Sequence, residues 1–295
     1  MKKLLRIGTR SSKLALWQAN YVKDFLEKNF DNLEIELKKI LTTGDKNLKD
    51  NIESFGGKSV FVKEIEESLL NDDIDLAVHS YKDLPVILPE GLEIISTSNR
   101  EDPRDVLISK NNENLQTLKS GVMIGTGSSR RSEQLKLIRE DLEIVPIRGN
   151  IDTRINKVFT TDIDGVVLAN AGVKRLGLDN HVSQIFDVEE IVPSPLQGFL
   201  AIEAREDSDV SRYFESFSSE ESILVTNYEK KFLKDLNLGC EYPAGFCMQI
   251  NNNKEFTFNY FLKGPKEQIK NKEVFNYSDL SIQYSKMVHT LSPII

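Results

Sequence analysis

Residues 121–150 read GVMIGTGSSRRSEQLKLIREDLEIVPIRGN, and this segment contains two apolar runs separated by a helical pattern. The apolar runs at 122–125 and 143–147 have the length of short buried strands. Between them, residues 128–140 have helical spacing and open on serine, a common residue at a helix N-terminus. A strand, a helix and a second strand in this order are typical of two parallel strands joined by a helix.

The same alternation extends outward from this unit. Further strands are predicted at 4–8, 34–41, 74–78, 92–97, 106–109 and 165–169, and further helices at 12–30, 61–70, 150–158, 170–176 and 195–205. The helix at 12–30 is predicted to bury an apolar stripe. The stripe is made of Leu14, Trp17, Tyr21 and Phe25, with Val22 and Leu26 beside it. The polar, glycine-rich segment 42–60 is predicted to be a mobile loop.

The order of these elements predicts an α/β fold. Two runs of alternation imply two α/β domains with mainly parallel sheets, whose ligands lie at the carboxyl ends of the strands. A helix is predicted from about residue 218 to 236, with Ser218 and Glu221 as its capping box. In the last 55 residues, aromatic residues at 256, 258 and 260 alternate as in a strand, and 278–290 favours a helix. This region is predicted to be a small α+β domain.

Composition and charge argue against several classes of protein. The formal net charge of −8 over 295 residues argues against a general nucleic-acid binder. No apolar stretch approaches the ~18 residues that span a bilayer. Arg6 and Arg10 interrupt any apolar core of a signal peptide, so a cytoplasmic location is expected. Two cysteines and three well-separated histidines argue against a disulfide framework and a zinc site.

The arginines are concentrated in the middle of the chain. Residues 100–175 contain eight of the 12 arginines but only five of the 26 lysines. The planar guanidinium grips a carboxylate or phosphate through two parallel hydrogen bonds, which an ammonium group does not. The concentration indicates recognition of an anion, and surface salt bridges are the alternative that the count leaves open.

Three segments that follow predicted strands carry polar and charged residues. They read HSYKDLP at 79–85, GTGSSRR at 125–131 and RGNIDTR at 148–154. Backbone N–H groups at a helix N-terminus bind anions, and the neighbouring arginines add positive charge. Asp83 could act as a general acid or base or stabilise a cationic intermediate, and a turn or capping role is the alternative. The three segments together favour a polyanionic small molecule as the ligand.

The cysteines and His79 occupy positions of different kinds. Cys240 lies in the loop LGCEYPAG (238–245), where a thiol can be a nucleophile or an attachment point, and an unreactive thiol is left open. Cys247 falls at an ordinary strand position and is predicted to be inert. His79, at the end of a strand, is interpreted as a packed or hydrogen-bonded residue and not as a catalyst.

Taken together, the motifs resemble those of one known family. They read RIGTRSSKLALWQ (6–18), GGKSVFVKEIE (56–66), DLAVHSYKDLP (75–85), REDPRD (100–105), IGTGSSRR (124–131), RGNIDTR (148–154), LANAGVKRLGL (168–178), LQGFLAIE (196–203) and LGCEYPAG (238–245). By these motifs, in this order from residue 6 to about 250, the chain is similar to the porphobilinogen deaminases, also called hydroxymethylbilane synthases.

The resemblance implies a fold, an activity and a cofactor. It implies a three-domain monomer whose first two domains resemble the lobes of periplasmic binding proteins. The expected boundaries are 1–98 with 199–216 for domain 1, 99–198 for domain 2 and 217–295 for domain 3. The implied enzyme is a transferase that joins four porphobilinogen units head to tail, releases ammonia each time and frees hydroxymethylbilane by hydrolysis. Its implied cofactor is a dipyrromethane held by a thioether to Cys240, and no metal, nucleic acid or membrane is expected.

The resemblance also assigns roles to individual residues. Asp83 matches the catalytic carboxylate, which assists loss of the amine and stabilises the resulting cation. The expected cofactor contacts, besides the covalent bond to Cys240, are Ser80, Lys82, Asp83, Thr126, Ser128, Arg130, Arg131, Arg148 and Gly172. The expected substrate contacts are Arg10, Ser12, Lys58, Phe61, Arg148, Arg154, Arg175 and Gln197. Each pyrrole carries an acetate and a propionate, which accounts for a basic site.

Some positions depart from the family pattern, and other functions compete with the one implied. The departures are Ser54, Gly127, Ser129, Leu196, Leu238 and Glu241, and none of them removes the aspartate, the loop cysteine or the main arginines. The competing functions are a solute receptor, the effector domain of a regulator, and an inactive paralogue that binds tetrapyrroles or other polyanions. The first two would need an export signal or a DNA-reading module, and neither pattern is visible in the sequence.

Overall fold

The computed structural model describes residues 2–43, 62–239, 242–251, 253 and 255–295. The chain divides into two units. Unit 1 comprises Met1–Arg100 and Phe199–Ile223, and unit 2 comprises Glu101–Gly198 and Leu224–Ile295. No helix in the described part of the chain combines the length and the apolar character needed to cross a membrane. The division into three domains stays a prediction.

The strands and helices are numbered along the chain. The strands are β1 (Lys3–Thr9), β2 (Leu33–Lys39), β3 (Leu76–Ser80), β4 (Leu92–Thr97), β5 (Asp105–Ser109), β6 (Met123–Gly125), β7 (Glu143–Val145), β8 (Gly165–Ala169), β9 (Gln184–Ile185), β10 (Leu200–Arg205), β11 (Ala244–Ile250), β12 (Glu255–Lys263) and β13 (Gln268–Asn276). The helices are α1 (Lys13–Asn29), α2 (Lys63–Leu70), α3 (Ser129–Ile138), α4 (Ile151–Thr160), α5 (Asn170–Arg175), α6 (Glu220–Asp235) and α7 (Leu280–Leu291). A single 3-10 turn, Tyr81–Asp83, follows β3 directly.

The sheet of unit 1 has the strand order β2-β1-β3-β10-β4. The strands β2, β1 and β3 are parallel neighbours, and β10 is antiparallel to both β3 and β4. Four strands therefore run in one direction and β10 runs against them. One face of the sheet packs on α1 through a core that includes Leu5, Val22 and Ile202. Helix α2 covers the strands from the other side through Ile65 and Leu69.

The buried side of α1 differs from the predicted stripe. The buried residues of the helix are Ala15, Gln18, Ala19, Val22 and Leu26. Trp17 is 37% exposed and Tyr21 is 43% exposed, so their prediction as core residues was wrong. The helix meets the sheet through Ala19, Val22 and Leu26, and the small alanine side chain allows the two backbones to approach closely. The two large rings instead stack on each other at the surface, with their centroids 5.4 Å apart.

The first sheet of unit 2 repeats the arrangement of the unit 1 sheet. Its strand order is β7-β6-β8-β5-β9, in which β7, β6 and β8 are parallel and β5 is antiparallel to β8 and β9. Along β5, Val106 faces a core that contains Val158 of α4, and Leu107 faces a core that contains Leu135 of α3. The predicted α/β fold, with mainly parallel strands in both five-stranded sheets, is therefore confirmed.

The C-terminal part of unit 2 is a small α+β arrangement, as the sequence predicts. The strands β11, β12 and β13 form an antiparallel sheet in that order. Phe232 of α6 stacks on Phe246 of β11 with ring centroids 4.6 Å apart. Phe258 of β12 lies edge-on to Tyr284 of α7 with ring centroids 6.3 Å apart. Both helices are thus joined to the sheet by aromatic side chains.

The helix predicted at 195–205 is wrong, because residues 200–205 form the strand β10. Every residue from Leu200 to Ala204 is buried, since the strand lies inside the sheet and both of its faces are covered. A continuous apolar run of this kind cannot be distinguished from a buried helix by periodicity alone. Positive φ angles of 64° at Leu196 and 98° at Gly198 also interrupt any helix before the strand begins.

The capping box predicted at Ser218 is also wrong. The N–H of Ser222 donates to the hydroxyl oxygen of Ser219 at 3.2 Å, so Ser219 caps α6. The hydroxyl of Ser218 instead donates to the carbonyl oxygen of Thr97, and the Thr97 N–H donates back to it at 3.3 Å. A tertiary contact with β4 therefore takes the side chain that local spacing assigned to the helix.

Arg139 follows α3 and ties the segment between β5 and β6 to the end of this helix. Its Nη1 donates to the carbonyl oxygens of Leu115 at 2.7 Å and Leu118 at 2.9 Å. Its Nη2 donates to the carbonyl oxygen of Lys119 at 3.1 Å and pairs with Asp141. The planar fork of one guanidinium thus holds several groups at once.

We expect Arg139→Lys to lower the free energy of unfolding by about 1–2 kcal/mol, because one ammonium group cannot replace the fork and leaves carbonyl groups unpaired. Urea unfolding followed by circular dichroism measures the change. Arg212→Lys is the matched control, since Arg212 is exposed and pairs with Asp209 at 2.9 Å on the surface. The control should change stability by less than about 0.5 kcal/mol. Equal losses in the two variants would contradict the role of Arg139.

Candidate active site

The carboxyl edge of the unit 1 sheet carries the first group of predicted site residues. Strand β3 ends at Ser80, and the turn that follows contains Lys82 and the predicted catalytic Asp83. Strand β1 is the parallel neighbour of β3, and its register with β3 brings Arg10 to the same edge. Arg10, Lys82 and Asp83 are all half-buried. The structure therefore brings these four residues to one edge of one sheet.

Buried groups hold the turn that carries Asp83. Gln18, buried on α1, donates from Nε2 to the Oγ of Ser80 at 2.7 Å. The Tyr81 N–H donates to the carbonyl oxygen of Phe199 at 3.1 Å. Burial raises the pKa of the Tyr81 hydroxyl to about 12, so this side chain is a neutral anchor at physiological pH. The start of the turn is thus held by one side-chain and one backbone hydrogen bond.

Ser12 lies at the start of α1 and has a structural role there. Its hydroxyl oxygen accepts a hydrogen bond from the Ala15 N–H at 3.3 Å. The fully buried Thr9 donates from its hydroxyl to the carbonyl oxygen of Ala15 at 3.1 Å, close to the same helix start. A hydroxyl has one donor in addition to its acceptor positions, so capping does not exhaust what Ser12 can offer to a carboxylate.

The carboxyl edge of the first sheet of unit 2 carries the second group. Strands β7, β6 and β8 are parallel neighbours, so their carboxyl ends meet at one edge. Predicted site residues follow each of these strands: Thr126 and Ser128 after β6, Arg148 after β7, and Gly172 and Arg175 in α5 after β8. Strand β5 runs the other way and therefore brings its first residue, Asp105, to this edge.

Asp105 is the residue on which this edge converges. It is fully buried, and its Oδ2 lies 2.8 Å from Nη2 of Arg130. Its Oδ1 lies 2.8 Å from Nη2 of Arg131 and accepts a hydrogen bond from Nε2 of Gln197 at 2.9 Å. Gln197 also donates to the carbonyl oxygen of Pro103 at 2.6 Å. Asp105 closes the REDPRD motif, and its role is visible only in the folded structure.

The cluster of Arg130, Arg131 and Asp105 has an excess of positive charge, because two buried guanidinium groups face one carboxylate. Burial lowers the pKa of Arg130, and the charge of Asp105 opposes that shift. The Nε of Arg131 has no hydrogen-bond partner among the described residues. An additional carboxylate would balance the charge and could pair this atom. The residues present therefore fit the acetate and propionate side chains of a dipyrromethane.

Backbone carbonyl oxygens orient two of the other predicted arginines, Arg154 and Arg175. Arg148 is exposed, and Arg154 and Arg175 are half-buried. Arg154 donates from Nε to the carbonyl oxygen of Gly149 at 2.7 Å. Gly149 has a φ angle of 114°, a conformation that favours glycine. Arg175 donates from Nη2 to the carbonyl oxygen of Gly198 at 2.7 Å.

Several positions singled out in the sequence lie outside the described residues. They are Ser54, Lys58, Phe61, Cys240 and Glu241, together with the predicted loop from residue 44 onward. Cys247 is buried in β11, in agreement with the strand position predicted for it. Within the described ranges, no group of three or more histidine, cysteine, aspartate or glutamate residues is arranged to hold a metal ion.

Comparison with known proteins matches the chain to one family. The family model for the porphobilinogen deaminase, dipyromethane cofactor binding domain, matches residues 5–212. A porphobilinogen deaminase from Syntrophomonas wolfei subsp. wolfei is 45% identical over 251 residues, which are 85% of this chain and 82% of that protein. The porphobilinogen deaminase of Fusobacterium nucleatum subsp. nucleatum is 45% identical over 268 residues, 90% of each chain. That of Bacillus subtilis is 41% identical over 281 residues, 95% of this chain and 90% of that protein.

Similarity to solved structures is weaker. The periplasmic VFT2 domain of BvgS from Bordetella pertussis is 12% identical, with a TM-score of 0.44 over 76% of this chain and 92% of that one. The fold is therefore defined by the strand orders given above and not by this similarity. The family model covers more than half of the chain, and each relative named is more than 40% identical over most of it. The chain therefore belongs to the porphobilinogen deaminase family.

Proposed function

We propose that this chain is a hydroxymethylbilane synthase, a transferase that joins four porphobilinogen molecules head to tail and releases one ammonia for each. Hydrolysis of the finished chain frees hydroxymethylbilane for tetrapyrrole biosynthesis. Membership of the porphobilinogen deaminase family supports this activity. The observation that carries the site assignment is the buried pair of arginines on Asp105, which leaves positive charge for pyrroles that bear carboxylates.

The cofactor of this proposal is a dipyrromethane joined by a thioether to Cys240. When bound, it supplies the pyrrole ring to which the first substrate molecule is joined. Arg130 and Arg131 hold its carboxylates, because Asp105 neutralises only one of the two guanidinium groups. Ser128 caps α3 by accepting a hydrogen bond from the Arg131 N–H at 3.5 Å, and so fixes the helix start that carries both arginines.

Asp83 is the proposed catalytic carboxylate. In each cycle the C–N bond of the substrate's aminomethyl group breaks, a C–C bond forms to a neighbouring pyrrole, and that pyrrole carbon loses its proton. Asp83 stabilises the positive charge that develops on the substrate as the amine leaves, and then helps to remove the proton. The contacts of Ser80 with Gln18 and of the Tyr81 N–H with Phe199 hold the start of the turn, which supports a carboxylate that is positioned before the substrate binds.

The proposal also covers the organisation of the protein in the cell. The enzyme is a cytoplasmic monomer of three domains, with boundaries at 1–98 with 199–216, 99–198 and 217–295. The three separate sheets support the division into domains. The net charge of −8 favours molecules that repel one another and stay dispersed.

The activity is tested by incubation with porphobilinogen, followed by acid oxidation and measurement of uroporphyrin absorbance. Formation of the chromophore supports the enzyme. If protein that carries its cofactor forms none, the function that remains is the noncatalytic binding of a tetrapyrrole or another polyanion.

We expect Asp83→Asn to lower kcat by at least ~10²-fold, because the amide keeps the shape of the side chain but removes its charge. Steady-state uroporphyrin formation measures the change, and circular dichroism checks that the fold is retained. Asp24→Asn is the control, since Asp24 is exposed on α1, and its kcat should equal that of the unmodified protein. Near-normal turnover by Asp83→Asn would refute the catalytic role.

We expect Arg148→Lys to raise KM about 10-fold, because lysine keeps the charge but loses the two parallel hydrogen bonds to a carboxylate, an effect on the order of 1–2 kcal/mol. Steady-state kinetics over a range of porphobilinogen concentrations measures KM. Arg139→Lys should leave KM unchanged at temperatures where it is folded, because its guanidinium contacts the backbone of residues 115–119. Equal rises in KM would mean that charge count matters and geometry does not.

We expect Cys240, and not Cys247, to carry the cofactor, since Cys247 is buried within β11. Mass spectrometry of the intact, denatured protein compares the unmodified sequence with Cys240→Ser and Cys247→Ser. The unmodified protein and Cys247→Ser should carry the extra mass of two linked pyrrole units, and Cys240→Ser should not. An adduct that persists on Cys240→Ser but is missing from Cys247→Ser would reverse the assignment.

A further inference from the structure

A buried histidine and a buried glutamate meet behind the turn that carries Asp83. The Nε2 of His79 lies 2.9 Å from the Oε2 of Glu203, and both side chains are buried. His79 is in β3 and Glu203 is in β10, the antiparallel neighbour of β3. A carboxylate accepts hydrogen bonds only, so in this contact Nε2 donates its proton to Glu203.

A second buried glutamate joins this pair from helix α2. Glu66 is buried, and its Oε1 has no hydrogen-bond partner among the described residues. The same is true, within those residues, of the Oε1 of Glu203. Helix α2 packs on β1, β3, β4 and β10, and so reaches both strands that form the pair.

The electrostatic surroundings of Glu66 disfavour its ionised form. Burial, together with the charge of Glu203, raises the pKa of Glu66 to about 7, while His79 opposes the shift. Glu67, on the same helix, adds a smaller repulsion. Arg205, two residues beyond Glu203 in β10, donates instead to the carbonyl oxygens of Leu69 and Ile74.

Two buried carboxyl groups with unpaired oxygen atoms need a positive charge between them. A proton on one of the two carboxyl groups supplies that charge and gives the unpaired oxygen atoms a hydrogen-bond donor. We propose that Glu66 and Glu203 share one proton and that, together with His79, they are positioning residues for the strand end that carries Ser80 and Asp83. The catalytic part of this inference rests on the proposed function, whereas the shared proton does not.

The proton joins α2 to the strands from one side of the sheet. His79 directly precedes Ser80, which Gln18 of α1 holds through its hydroxyl. Loss of the proton would place two negative charges in a buried space and push α2 away from β10. The strand end would then be held from the α1 side only, and the carboxylate of Asp83 would lose its fixed position.

The direction of the pH effect follows from the raised pKa of Glu66. In the unfolded chain this group titrates near its ordinary value of 4.5, and in the folded chain near 7. Between these values the folded state binds more protons than the unfolded state, so the stability that the proton contributes falls as the pH rises. The contribution is complete below pH 4.5 and lost above about pH 7.

Glu66→Gln tests the shared proton, because its amide N–H can donate to Glu203 as a protonated acid does. Urea midpoints of the two proteins should agree near pH 5, separate up to about pH 7 with the variant more stable, and remain apart to pH 9. Glu67→Gln is the matched control, since Glu67 is the next residue and is exposed, and its stability should fall between about pH 5 and pH 7 as that of the unmodified protein does. A constant difference, or a variant that is less stable at pH 9, overturns the proposal.

Infrared spectroscopy detects the proton without relying on unfolding or activity. The unmodified protein and Glu67→Gln should show the carbonyl stretch of a buried protonated carboxyl group at pH 6, and this band should be lost as the pH rises through about 7. Glu66→Gln should lack the band. A band that is absent from the unmodified protein, or unchanged by Glu66→Gln, places no proton on this pair and overturns the proposal.

Kinetics tests the positioning role. Glu66→Ala should lower kcat at least ~10-fold with KM unchanged, since misplacement of a catalytic group costs up to ~10²-fold, and Glu66→Gln should restore kcat. The kcat of the unmodified protein should decline above about pH 7, and Glu66→Gln should remove this decline. An unaltered kcat in Glu66→Ala overturns the positioning role. If the unmodified protein has no activity, the proposed function fails while the infrared and unfolding results still decide the shared proton.

Discussion

Each five-stranded sheet contains one strand that runs against the other four, and each reversed strand carries a fully buried carboxylate. Asp105 begins β5, and Glu203 lies within β10. A buried carboxylate is tolerated only where an opposite charge, a hydrogen-bond donor or a proton compensates it. Asp105 begins its reversed strand and therefore lies beside the residues that follow the parallel strands, whereas Glu203 lies deeper in its sheet, opposite Ala77. Much of the local structure around the two carboxylates supplies this compensation.

The two units compensate their buried carboxylates in opposite ways. In unit 2, Arg130 and Arg131 outnumber the charge of Asp105, and the surplus suits a ligand that carries carboxylates. In unit 1, two glutamates meet one histidine, and the surplus of acid takes up a proton. The first arrangement prepares a binding site for anions. The second supports the turn that contains Asp83. The Asp83 carboxylate is then already in position when positive charge develops on the substrate.

Local pattern was sufficient for helices that bury one side and expose the other, and the helices that follow Ser12 and Ser128 were predicted within a few residues of their observed ends. The strand at 165–169 was also predicted, because its apolar run is too short for a helix. Pattern failed where packing on both sides removes the periodicity, as in β10. It also failed where a distant partner competes for a side chain, as Thr97 does for Ser218. The burial predicted for Trp17 was wrong, because a large apolar side chain is buried only where the neighbouring surface has room for its ring.

The sequence by itself determined the alternation of strands and helices, the positions of Ser80, Thr126 and Arg148 just at or beyond strand ends, and the resemblance to the family. These properties depend on residues that are close together along the chain. Only the tertiary structure decided which buried charges are paired. Asp105 and Arg131 are 26 residues apart, and His79 and Glu203 are 124 residues apart. Their contacts depend on which strands become neighbours, and a strand order such as β2-β1-β3-β10-β4 does not follow the order of the chain. The identity of each partner is therefore a property of the folded sheet, because Coulomb attraction and hydrogen bonding act over a few ångströms in space and not along the sequence.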